Sequence, residues 1–330
     1  MKTVFLTEMG FEGKVPANHS NMRTEFAWMY ALDADHKHLN HYREVAGYDH
    51  VFIIFPKGKV FLSAEGTKLS SDQNPVSGLL RADIVNILKE KNKLVHYVQE
   101  GPHWWFNDYE IPDQVYFYNL VASCDSIFAH NISDVRYYKG LYPGKEVRVI
   151  PTLMIDSLVQ NVVPEPQDLV IVGGNFARWY GGFESYTVAT VFNVPVWTQT
   201  SHAMRPEEAL VDGIQHLPRL MWTDWMEALS KFKYAVHLMP TVAAGTFSLN
   251  CAYLGIPCIG NKQVDTQRLC HPQLAVEVNN LEHARIVAKE LLENKKFYKE
   301  RSEEARENYK RHYSLPVWLT TMHRYLDETK

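Results

Sequence analysis

Short apolar runs recur along this chain, and helix-length segments fill the intervals between them. Residues 2–7 (KTVFLT), 50–55 (HVFIIF), 94–99 (LVHYVQ), 126–129 (SIFA) and 147–150 (VRVI) are too short for helices and read as strands. Residues 24–32, 79–91 and 114–122 read as the helices between them. Strand, helix, strand repeated in this way predicts a parallel sheet with helices on both faces. Around residues 156–167 the pattern breaks in a Pro-containing stretch, VQNVVPEPQ, which reads as a linker. It then restarts. Residues 169–172, 194–197, 235–239 and 256–259 are the next strands, and 183–192, 224–232, 248–254 and 281–309 the next helices. A last helical segment spans 316–326, with Pro316 suited to a first turn.

At 330 residues the chain exceeds what one ordinary core supports. The expectation is an α/β protein of two Rossmann-like, doubly wound domains facing a cleft. The first covers residues 1–160 together with a crossing helix at 314–330, and the second covers 166–313. Ligands of such sheets bind beyond the carboxyl ends of the strands, and two facing domains place a ligand in the cleft.

Charge and cysteine usage narrow the function classes. The formal net charge is −4, so no global basic field exists to hold nucleic acid or an anionic membrane, although a local patch is compatible with it. Cys124, Cys251, Cys258 and Cys270 lack CxxC spacing and read as reduced thiols of a cytoplasmic protein. His36, His38, His41 and His50 lack a metal-binding spacing, so no metal is expected. The start, MKTVFLTEMGFEGK, has too short an apolar run for a signal peptide, and no stretch approaches a membrane span.

Neither G-x-G-x-x-G after the first strand nor G-x-x-x-x-G-K-[ST] is present, which weighs against a dehydrogenase or a P-loop NTPase. Two bare helix starts stand out instead. One is Gly173, Gly174, Asn175, Phe176, Ala177 and Arg178, directly after a strand. The other is Ala244, Gly245, Thr246 and Phe247. Small residues let backbone N–H groups approach an anion, the helix dipole favours negative charge there, and Arg178 can clamp it. The competing reading of each is an ordinary structural turn.

The run from Leu217 and Pro218 through AAGTFSLNCAYLGIPCIG resembles the donor half of the GT-B glycosyltransferases. That resemblance implies transfer of a sugar from a nucleoside-diphosphate donor, of UDP type, to an acceptor hydroxyl. No cofactor or metal is then required, since the helix dipole and Arg178 neutralise the leaving diphosphate. Many retaining members carry two Glu residues at the places that Val242 and Asn250 occupy here. Asn250 can still bond a ribose hydroxyl, whereas Val242 cannot do the sugar-facing task, so the expected stereochemistry is inversion. The family's base contacts imply backbone groups at residues 216–220, including Leu217, Pro218 and Arg219. Short matches, GGNF at 173–176, DTQR at 265–268 and VNN at 278–280, are similar to phage DNA β-glucosyltransferases. They imply the hydroxymethyl group of a modified cytosine as acceptor and a host-cytoplasmic location.

An inverting transfer needs a base to take the acceptor's proton. Glu100, directly after the strand at 94–99, is the first candidate, with His103 as rival and Asp108 third. Trp104 and Trp105 are candidates for stacking on an acceptor ring, and Asn18 and His19, with Arg23, for polar contact from the loop at 10–23. A DNA acceptor calls for a local basic patch, from Lys57, Lys59, Lys68 and Arg81 or from Lys139, Lys145 and Arg148. The alternatives are a glycan or small-molecule acceptor, an epimerase of the same fold, or a nucleotide-sugar-binding module without chemistry.

Overall fold

The computed structural model describes residues 1–55, 84–108, 111–174, 176, 180–199 and 206–329. Two compact units emerge. One comprises Met1–His19, Glu25–Pro151 and Leu319–Lys330, the other Ser20–Thr24 and Thr152–Trp318.

The first unit contains β1 (Thr3–Thr7), α1 (Thr24–Ala31), β2 (Asp35–His38), β3 (His50–Ile53), α2 (Ile84–Lys91), β4 (Leu94–Val98), α3 (Ile111–Ser123), β5 (Ser126–Ala129), α4 (Ile132–Leu141) and β6 (Glu146–Val149). Its six strands run in the order β2-β1-β3-β4-β5-β6, all parallel. Parallel strands are buried on both faces, and here β1 and β3 expose no residue. Phe5 pairs with Phe52, and Phe52 with His96, so one face carries an aromatic ladder across β1, β3 and β4. Its ring centroids are 4.7 and 4.9 Å apart. Each such contact adds about 0.5–1.5 kcal/mol beyond burial.

The second unit contains β7 (Gln167–Val172), α5 (Gly182–Ala189), β8 (Val196–Gln199), β9 (Ile214–Leu217), α6 (Trp222–Leu229), β10 (Phe232–His237), α7 (Thr246–Leu254), β11 (Cys258–Asn261), α8 (Asp265–Cys270), β12 (Ala275–Val276), α9 (Leu281–Glu293) and α10 (Lys295–Tyr313). Its order is β12-β11-β10-β7-β8-β9, again parallel. The winding reverses between β7 and β10, which makes that boundary a topological switch point. A final helix, α11 (Leu315–Glu328), contributes its later residues to the first unit, where Arg148 Nη1 donates to Glu328 at 2.8 Å.

Three strands and two helices differ from the sequence expectation. β2, β9 and β12 lie at sheet edges, where one side of the strand needs no apolar partner, so DHKH and IQHL carry no continuous apolar run. α4 and α8 were likewise not anticipated. The single helix expected over 281–309 is two helices. Asn294 leaves helical geometry (φ −106, ψ 91) and its side chain accepts from the N–H of Phe297 at 3.0 Å. Asn competes with the helix by bonding nearby backbone, so it starts a new helix better than it continues one. The basic residues Lys57, Lys59, Lys68 and Arg81 lie outside the described residues.

Candidate functional site

In the second unit, the carboxyl ends of β7 and β10 meet at the switch point. Gly173 follows β7 and its N–H donates to the carbonyl of Val236 at 2.8 Å. Gly174 turns the chain with φ 77, and its carbonyl accepts from Thr198 Oγ1 at 2.9 Å. Asn175 and Arg178 lie outside the described residues. α5 starts behind this turn at Gly181 and α7 starts at Gly245, both in left-handed backbone geometry and neither closed by a side-chain cap. The first N–H groups of a helix have no partner within it. Both helix starts therefore offer donors and partial positive charge.

Gly245 is fixed for a reason not legible from its small neighbours. A Cβ there would lie 2.0 Å from Thr266 Oγ1 on α8. Thr266 Oγ1 instead donates to the carbonyl of Gly245 at 2.9 Å, and lies 2.6 Å from Ser248 Oγ. The helix start is thus anchored from behind by α8. Ala244 and Thr246 are half-buried, while Phe247 is buried beside His237 at 5.0 Å between ring centroids. Asn250 is 2% exposed, and its Oδ1 is enclosed without a hydrogen-bond partner among the described residues. A buried carbonyl oxygen without a donor is costly unless a ligand supplies one. Leu217 ends β9 at the sheet edge, and Pro218 and Arg219 are exposed beyond it. Trp222 and Trp225 are buried parts of the α6 core.

In the first unit, the strand β4 delivers Gln99, Glu100 and the turn His103–Asp108. Glu100 is partly buried at the strand end. His103 is held more tightly. Its Nδ1 donates to Oδ1 of Asp134 at 2.7 Å, and its ring lies tilted against Tyr137, with 4.2 Å between centroids. Asp134 is fully buried in the first turn of α4 and also accepts from Gln99 Nε2 at 3.1 Å and Asn131 Nδ2 at 3.3 Å. Gln99 in turn donates to the carbonyl of Gly101 at 2.8 Å and accepts from the N–H of His130 at 3.0 Å. A carboxylate on Nδ1 fixes the tautomer and leaves Nε2 as an acceptor, the arrangement of an oriented general base.

Trp104 is half-buried in the same turn, the side chain of Trp105 lies outside the described residues, and Asp108 is described by its backbone alone. Asn18 is exposed. His19 stacks on Phe26 at 4.3 Å, Phe26 on Phe11 at 5.6 Å, and Phe11 on His36 at 4.3 Å. Burial lowers the His19 pKa. Arg23 Nε donates to Asn21 Oδ1 at 3.0 Å. Two of the basic residues considered for a DNA patch are already engaged. Lys145 donates to the carbonyl of Cys124, and Arg148 pairs with Glu146 and Glu328.

Asp134, Gln99, Thr266 and His237 escaped the sequence reading. For Asp134 a signal exists in NISD, an Asn before a helix with an acid in its first turn. For His237 the signal is a single titratable residue inside the apolar run AVHLM. The four cysteines are free and buried. Among the described residues there is no group of His, Cys, Asp and Glu arranged to hold a metal, and no helix long and apolar enough to cross a membrane.

No family model matches, and no curated protein matches. Among solved structures, the chain is similar to HepE of Anabaena in complex with UDP and glucose. That match has 10% identity and a TM-score of 0.65, covering 99% of this chain and 100% of that one. It is similar to an α-glucosyltransferase in complex with UDP and DNA containing an HMU base, at 12% identity and a TM-score of 0.61, covering 99% of each chain. It is also similar to TarM of S. aureus in a complex that includes UDP, at 12% identity and a TM-score of 0.56, covering 72% of this chain. The chain spans about half the length of TarM, 52%. These likenesses show the fold, that of the GT-B glycosyltransferases.

Proposed function

We propose that this protein is a glycosyltransferase that moves a sugar from a UDP-sugar to an acceptor hydroxyl. The supporting observation is the β7/β10 switch point, where a Gly173–Gly174 turn lies with the starts of α5 and α7, neither closed by a side-chain cap. A diphosphate is an acceptor-only anion and suits such a cradle. The UDP in the three structural neighbours supports the choice of nucleotide. Asn250, with its unpartnered Oδ1, is suited to receive a ribose hydroxyl.

His103, oriented by Asp134, is the better-built base than Glu100. Its Nε2 takes the acceptor O–H proton as that oxygen bonds to the anomeric carbon. The anomeric C–O bond to the diphosphate breaks, and UDP leaves with the electron pair. This course inverts the anomeric centre. The name of one neighbour, α-glucosyltransferase, favours the opposite outcome, and the anomer of the product, read by proton NMR, decides between them. The neutralising groups are backbone amides and the charge of Arg178, so transfer is expected to continue in EDTA.

For the acceptor, the hydroxymethyl group of a modified cytosine in DNA is supported by that same DNA-bound neighbour. The prior engagement of Lys145 and Arg148 favours a second reading, a glycan or small-molecule hydroxyl. The test is incubation with UDP-glucose and either hydroxymethylated duplex or a panel of sugars, reading UDP release and the mass of the acceptor. No release of UDP with any of these acceptors, from a protein that binds UDP-glucose, would refute transferase chemistry.

A further inference from the structure

We infer that His237 binds the donor diphosphate directly, its ring Nε2 donating a hydrogen bond to a phosphoryl oxygen held on the Gly173–Gly174 turn. This rests on the UDP-sugar reading above and adds a residue to it. His237 is the last residue of β10, and its predecessor Val236 pairs with Val172 at the end of β7. The register therefore sets the imidazole beside the glycine turn. Contact is close. A Cβ on Gly173 would lie 2.7 Å from His237 Cγ and 2.8 Å from Phe247 Cδ1, so the ring fills the space that any other residue at 173 would need. A Cβ on Gly174 would lie 3.4 Å from His237 Nε2, which places the ring nitrogen against the second glycine.

That nitrogen is fully enclosed and has no hydrogen-bond partner among the described residues. The large majority of buried polar atoms in folded proteins are paired. An orphan aimed at a turn of this kind marks a place where a ligand atom completes the set. Beside it, the starts of α5 and α7 have no side-chain cap and add backbone N–H donors. A ligand rich in acceptors satisfies them together, and a phosphoryl group has acceptors to spare for Nε2–H. Burial lowers the His237 pKa to about 4, so the ring is neutral at pH 7 and serves as a single N–H donor rather than as a charge.

The test is calorimetric titration of UDP, and of uridine as a phosphate-free probe, into wild type, His237→Leu and His237→Gln. His237→Leu is expected to weaken UDP binding by about ten- to a hundredfold and to leave uridine unchanged. His237→Gln, which keeps a side-chain N–H donor, is expected to lie closer to wild type. Nitrogen-15 NMR of the wild-type ring covers the case where a variant does not fold: UDP should shift the Nε2 resonance and uridine should not. Equal UDP affinity in wild type and a folded His237→Leu overturns the assignment. So does an equal loss for UDP and uridine, which would mark a purely structural ring. An unmoved Nε2 resonance with bound UDP overturns it as well. Wild type that binds no UDP overturns the UDP-sugar reading itself, a distinct result.

Discussion

His103 Nδ1 lies 2.7 Å from Oδ1 of Asp134, a carboxylate with no exposed surface. Three donors converge on that carboxylate, from His103, Gln99 and Asn131. Those hydrogen bonds fix the carboxylate in place, so that it orients what it touches. The imidazole it orients is partly exposed, 27% of its side chain, and so is open to a substrate.

Asp134→Asn is therefore expected to lower the transfer rate by about a hundredfold or more, because an amide no longer fixes the tautomer that leaves Nε2 basic. His103→Ala should lose as much, and Glu100→Gln little. The rate of UDP release with saturating donor and acceptor checks this, with circular dichroism confirming the fold. Equal losses for Glu100→Gln and Asp134→Asn would restore Glu100 as the base.

Two glycines separate backbone strain from collision. Gly13 has φ 94 with nothing within 4 Å of a Cβ, whereas Gly245 has φ 75 and Thr266 Oγ1 in the way. Gly13→Ala should cost about 1 kcal/mol, and Gly245→Ala about 3 kcal/mol, since it adds overpacking to the same strain. Urea unfolding of both variants measures the difference, and equal costs would show that α8 yields to the new methyl.

Stability should fall as the solution is acidified below neutrality. Burial lowers the pKa of His36 to about 4, His96 to about 3 and His271 to about 4. His96 is enclosed between His50 and Ser126, at 2.9 and 2.7 Å. The unfolded chain takes up protons near pH 6.5 and the folded chain does not. The stabilisation is therefore complete above about pH 6.5 and is lost as pH falls towards 4. Each group contributes a slope of roughly 1.4 kcal/mol per pH unit in that window. Urea midpoints at pH 7 and pH 5 read this directly, and identical midpoints would contradict it.

Asn294→Ala removes the side-chain oxygen that accepts from Phe297, and should cost about 1 kcal/mol. Thermal unfolding checks it. An unchanged midpoint would mean that packing of α9 and α10, rather than the cap, sets the break between them.

The layout of both sheets was largely legible because parallel strands are apolar on both faces and leave continuous runs such as VFIIF. Edge strands leave no such run, which is why β2 (DHKH) was invisible. The glycine-started helix at 245 was visible as an oddity, but its cause was not. Thr266 comes from α8, a separate helix that only the folded chain brings behind Gly245. Likewise Asp134 was hidden because its meaning depends on His103, 31 residues away in sequence. Single residues reveal their type, and only the fold reveals their partners. His237 marks the same limit: one histidine in an apolar strand reads as core until the neighbouring glycine turn shows what its nitrogen faces.

The most direct measurement is a crystal structure of the protein with bound UDP. The expected result is a diphosphate at the β7/β10 switch point, its oxygens within hydrogen-bond distance of the Gly174 turn and the first amides of α7. UDP bound elsewhere, with that cradle left empty at saturating nucleotide, would contradict the donor site on which the function rests.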